Sequence, residues 1–100
     1  MDGREFLDVD PRQLRLPPSR LQGADPSKLQ RQIARFGRAV TGMPIPVVYR
    51  GSDGELMISD GVTRATRVAK LLPGTPLRVE VLDDLRTPFG HLPTVKDRLP

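Results

Sequence analysis

Apolar residues in this chain come in short blocks set off by proline, glycine and aspartate, and each block carries its own period. Glu5–Val9 alternates as a short strand with Phe6 among its apolar members, and Asp10-Pro11 then opens a turn. Leu14 and Leu16 pin the next segment to a core before Pro17-Pro18-Ser19 breaks it. Asp25-Pro26 is a helix start, an aspartate cap followed by proline at the first helical position. Leu29, Ile33 and Phe36 follow at the i, i+4, i+7 spacing of a buried stripe, and Gly37 is the expected stop. Lys28, Arg31, Arg35 and Arg38 fall on the side roughly opposite, so the helix has one apolar and one basic face.

Two further strands are expected at Ile45–Arg50 and Leu56–Ser59, joined as a hairpin by Ser52-Asp53-Gly54-Glu55. Asp60 is then expected to cap a helix over Gly61–Leu72. Ala65, Val68, Ala69 and Leu72 form its core stripe, Thr63, Thr66, Arg67 and Lys70 face away, and Arg64 lies on the flank. Pro73-Gly74 ends that helix, and Leu77–Leu82 alternates as a last strand. From Asp83 onward no period is visible, so a domain at 1–83 and a loosely docked tail at 84–100 are expected. The fold class is α+β (α/β), a small mixed sheet with two main helices.

Composition narrows the chemistry. One hundred residues suit one domain with one modest core. Eleven prolines and nine glycines agree with short elements. The absence of cysteine removes disulfides and thiol chemistry, and a lone His91 removes a histidine-rich metal site. No run approaches the roughly 20 apolar residues of a membrane span, which leads to the expectation of a soluble, cytoplasmic protein without a membrane partner. The net charge of +4 is uneven: residues 11–38 hold Arg12, Arg15, Arg20, Lys28, Arg31, Arg35 and Arg38 against Asp25 alone. Such a block suits a polyanion, DNA or RNA, and suits equally a solvated surface. The Lys28/Arg31/Arg35/Arg38 stripe lacks interleaved glutamate, which tilts it toward nucleic acid.

The stretch with most chemical content is Ile58-Ser59-Asp60-Gly61-Val62-Thr63-Arg64. A helix start exposes backbone N–H groups and a partial positive charge. An arginine in the first turn runs against ordinary helix design and suits a bound anion such as phosphate. The competing reading is a surface arginine paired with Asp60 or Asp53. A capping Asp60 would also occupy amides that an anion needs, leaving Arg64, Thr63 and the remaining amides to hold it, with Asp60 on a metal or a sugar hydroxyl.

The order of these segments resembles the ParB/sulfiredoxin superfamily. The residues that carry the resemblance are Phe6–Val9, Asp25–Gly37, Pro44-Ile45-Pro46-Val47-Val48, Ser52-Asp53-Gly54-Glu55, Asp60-Gly61-Val62-Thr63-Arg64 and Leu77–Leu82. The resemblance implies that Gly61 and Arg64, with Thr63, Arg67 and Arg20 nearby, hold the phosphates of a nucleoside triphosphate, CTP or ATP, with Mg²⁺. Val62 stands where sulfiredoxins carry their cysteine, so reductase chemistry is not expected. Arg67 stands where the partition proteins often have alanine, and their downstream domains are not expected within these 100 residues. The leading expectation is phosphate recognition linked to DNA or RNA. The alternatives are an enzyme of the same superfamily, a nuclease or small-molecule kinase serving as a toxin or defence effector, and a non-catalytic interaction module. For an enzyme, Asp60 is the best catalytic candidate, because the loop before the first helix offers only Asp25 and no glutamate. A nucleotide and a nucleic acid are the expected partners, with a homodimer left open.

Overall fold

The structure, a computed structural model, describes residues 3–100. The first two positions of the expected 1–83 domain, including Asp2, lie outside the described residues. Among the described residues four strands and two α-helices form, in the order β1 (Glu5–Val9), α1 (Pro26–Phe36), β2 (Val47–Arg50), β3 (Leu56–Asp60), α2 (Val62–Leu71) and β4 (Leu77–Asp84). Single 3₁₀ turns sit at Pro11–Gln13, Pro18–Arg20 and Lys96–Arg98.

The sheet order is β1-β4-β2-β3. Strand β1 pairs antiparallel with β4, and β2 pairs antiparallel with β3. Strands β2 and β4 run parallel, because β3 and α2 intervene between them as a crossover. The chain is therefore a small α+β fold on a mixed four-stranded sheet. One sheet face is closed and the other is open, as the alternation along β4 shows: Leu77, Val79 and Val81 are buried, whereas Arg78 and Leu82 are exposed. The closed face packs Val48, Ile58, Val79 and Val81 against Ala65, Val68 and Ala69 of α2 and against Leu14 and Leu16. On the open side the register sets Asp8 opposite Arg78 and Phe6 opposite Glu80.

Helix α1 starts as its sequence specifies: the Asp25 side chain accepts the Lys28 N–H at 3.0 Å, and Pro26 takes the first position. That bond holds the Asp25 carboxyl below its ordinary range. Gly37 closes the helix at φ 53°. Of the predicted stripe Leu29 is buried, while Ile33 and Phe36 are half-buried.

The C-terminal segment is not a loose tail. Phe89, Leu92, Thr94 and Val95 are buried, and Val95 belongs to the main core. Backbone bonds run from Leu16 N–H to Pro93 O and from Val95 N–H to Leu14 O, both near 2.8–2.9 Å. Arg15 bridges to Met57 on one side and Thr94 on the other, so residues 14–16 lie between β3 and the C-terminal segment. Asp53, expected as a turn residue and weighed as a partner for Arg64, instead accepts N–H bonds from Glu55, Phe89 and Gly90. Burial raises its carboxyl pKa, but the three amides outweigh that and hold it below the ordinary value. An irregular segment can be core without any period when backbone bonds and a few apolar side chains dock it.

Candidate functional site

The junction of β3 and α2 is shaped by one glycine. Gly61 adopts φ 111°, a left-handed conformation that only glycine takes readily. A Cβ there would lie 2.7 Å from Pro46 Cβ and 3.1 Å from Pro46 Cα. The chain can turn from strand to helix at this point only because position 61 has no side chain. Gly61 is also the helix cap, which corrects the expectation for Asp60: β3 continues through Asp60, paired with Val47, and among the described residues no side chain caps α2. The first turn of α2 contains no acidic residue, so its amides keep their partial positive charge unopposed by a cap.

Those first-turn residues line a cleft of about 370 Å³ between the start of α2, the face of α1 and the 3₁₀ turn at Pro18–Arg20. The cleft brings together Arg20, Lys28, Asp60, Gly61, Thr63 and Arg64. These come from separate stretches of chain, and all but Lys28 are among the residues expected to hold a nucleotide or act on it. Ser19, Asp25, Gln32 and Ser59 complete its polar lining.

Arg64 is not swung into solvent, its side chain being 13% exposed. One guanidinium nitrogen, Nη1, donates to Pro44 O at 3.0 Å, and Nη2 lies 3.2 Å from Asp60 Oδ2. The pairing with Asp60 weighed from the sequence is thus present, while Asp60 itself is 77% exposed at the cleft's rim. Arg64 is held from two sides in a fixed pose along the cleft wall, a geometry that leaves part of its donor fork for a ligand.

Arg67 is a correction. Expected on the solvent side of α2 as a phosphate contact, it is fully buried and lines no part of the cleft. Its guanidinium donates to Gly37 O at the end of α1, to Gln32 Oε1 at 3.3 Å and to Met43 Sδ at 3.2 Å, and it lies 5.5 Å from the Phe36 ring. Burial lowers its pKa, yet a guanidinium stays charged in proteins. No carboxylate forms an ion pair with it among the described residues. Thr66 is likewise buried, its hydroxyl donating to Val62 O at 2.7 Å. Both corrections have one cause: α2 is covered by the core on one side and by α1 with the loop after it on the other, so a single-stripe reading fails.

The expected nucleic-acid stripe divides. Lys28, Arg31 and Arg35 are exposed on α1, with Lys28 at the cleft and Arg35 over the Phe36 ring at 5.3 Å. Arg38 is exposed too but follows the helix, which ends at Phe36. None of Arg20, Lys28, Arg31, Arg35 and Arg38 forms an ion pair among the described residues. The arginines on the sheet behave oppositely. Arg4 pairs with Glu80, Arg78 with Asp8, and Arg50 with Glu5 and Asp84. The Arg50 bonds push the Glu5 and Asp84 carboxyls down and the guanidinium up.

Among the described residues no three His, Cys, Asp or Glu side chains converge as a metal site. None of the described helices is long and apolar enough to cross a membrane. The residue missed from the sequence is Gln32, one helical turn beyond Lys28 and on the same cleft; the i, i+4 spacing from Lys28 is the available signal. No family model matches the chain, and neither a curated protein nor a solved structure matches it.

Proposed function

We propose that the protein recognises the phosphates of a nucleoside triphosphate, CTP or ATP, in the cleft at the start of α2, and couples that recognition to DNA or RNA along the exposed cations of α1. One observation carries the reading: an uncapped helix start shares its cleft with Arg20 and Lys28, cations without ion pairs among the described residues, and with the constrained Arg64. Unopposed amides and donor-rich cations converging on one concave site are what a polyphosphate needs. The Asp60-Gly61-Val62-Thr63-Arg64 stretch lies at this cleft, as a ParB/sulfiredoxin-like fold would have it, and that kinship is part of the proposal. The cleft carboxylates are Asp25, which caps α1, and Asp60. Asp60 is the side chain left to meet a Mg²⁺ carried in by the phosphates.

The test is a thermal-shift and calorimetric titration of CTP, ATP and a short DNA duplex, with Mg²⁺, against wild type and Arg20→Ala/Lys28→Ala. Both exchanged side chains are exposed, so folding is retained. Wild type should gain stability as RT ln(1 + [L]/Kd), about 2.7 kcal/mol at a hundredfold excess over Kd. The double variant should lose most of it. Equal and negligible binding by both proteins sinks the reading.

A further inference from the structure

We propose that Gln32 is an anion-binding donor of the cleft, locked in orientation by the buried guanidinium of Arg67. The inference rests on the reading that a polyphosphate enters this cleft, and it names a contact that the sequence motif does not contain.

A glutamine amide has an acceptor end and a donor end and ordinarily can turn either way. Here it cannot. Arg67 has donors only, and its Nε–H meets Gln32 Oε1 at 3.3 Å. Turning the amide over would set NH₂ against guanidinium and orphan a buried charged donor, which is strongly unfavourable. With Oε1 engaged by Arg67, the Nε2 group is the end left for other partners. Gln32 lines the cleft beside Lys28 and Thr63, so a pre-set pair of N–H donors stands where the phosphates enter.

The partner of Arg67 matters as much as the orientation. A fully buried arginine ordinarily finds a carboxylate, and Arg67 instead has an amide, a carbonyl, a thioether and an aromatic ring. A glutamate at position 32 would differ by one atom and would neutralise it. Glutamine leaves the positive charge of Arg67 without a counter-ion, where it favours an anion, and adds no further carboxylate to a cleft that already holds Asp25 and Asp60.

Gln32→Glu separates this from a structural role because its two effects have opposite signs. In the full chain, the new carboxylate gives Arg67 a counter-ion, so Tm should rise by about 2–5 °C. Affinity for inorganic tripolyphosphate, read by calorimetry, should fall at least tenfold. Gln32→Leu removes the donor without adding charge; it also takes the Oε1 acceptor from Arg67 and so should lower Tm, while the affinity of the folded protein should fall several-fold. Wild-type binding with unchanged affinity in Gln32→Leu overturns the inference while leaving the phosphate cleft intact. A Gln32→Glu protein that loses Tm and affinity together overturns it as well, assigning Gln32 to packing alone. Absence of tripolyphosphate binding by the wild type removes the cleft reading and this one with it.

Discussion

The arginines of the sheet and the cations of α1 belong to one small domain, yet they are treated in opposite ways. On and beside the sheet, Arg4, Arg50 and Arg78 each donate through two nitrogens to one acid: Arg78 to Asp8 across β1 and β4, Arg4 to Glu80 from just before β1, and Arg50 to Glu5 beyond β4 and to its register partner Asp84. Around α1, Arg20, Lys28, Arg31, Arg35 and Arg38 have no such partner among the described residues. Paired charges lock neighbouring strands in register. Apart from the ring contact of Arg35 and the pull of Lys28 and Arg31 on the Asp25 cap, the unpaired ones add little to the fold, so their clustering suits a partner outside it. A polyanion supplies one. Arg64 stands between the two regimes, tied to Asp60 and Pro44 O but lining the cleft.

The contrast can be broken from either side. The largest effect should come from the junction that builds the cleft: Gly61→Ala forces a Cβ against Pro46 in a left-handed backbone. We expect a loss of about 2–4 kcal/mol in urea unfolding. A loss below about 0.5 kcal/mol would mean that the junction relaxes freely.

Acid should next dissolve the paired side. The Glu5, Asp8 and Asp84 carboxyls sit below their ordinary values, through their bonds to Arg50 and Arg78. A depressed folded-state pKa adds stability above the unfolded value, near pH 4, and loses it as pH falls through the folded one. Tm should therefore hold level from pH 7 to about 5 and decline below about 4. A level Tm down to about pH 2.5 would show that these pairs add nothing.

The smallest change in stability should follow from neutralising α1. Replacing Lys28, Arg31, Arg35 and Arg38 by glutamine should leave Tm unchanged, since none forms an ion pair among the described residues. The same variant should flatten the salt dependence of duplex binding by roughly 0.9 in log–log slope for each DNA phosphate it no longer neutralises. An unaltered slope assigns the stripe to solvation.

Much of this fold is legible in the sequence. Asp25-Pro26 marks the start of α1 because cap and proline act locally, and Gly37 marks its end for the same reason. The hairpin and the four strands follow from turn chemistry and short-range alternation; β2 begins at Val47 rather than Ile45, and β4 runs on to Asp84. The cleft residues Gly61, Thr63, Arg64 and Arg20 come from the motif and the resemblance, and Lys28 from the basic stripe. What stays hidden depends on neighbours distant in sequence. Asp60 resembles a cap until β2 is seen to pair through it. Arg67 resembles a wet residue until the loop after α1 folds over it. Gln32 carries no motif, and only the guanidinium beneath gives its amide a direction. Asp53 serves its turn, as read, and also gathers the amides of Phe89 and Gly90.

The strip at residues 14–16 carries a lesson for how this chain is born. Wedged between Met57 and Thr94, it leaves the ribosome well before the segment, some 80 residues later, that completes its burial. Closing such distant ends is slow compared with helix formation. Until Val95 has been synthesised, Leu14 and Leu16 have only part of their burial, and the nascent chain depends on not sticking to its neighbours meanwhile.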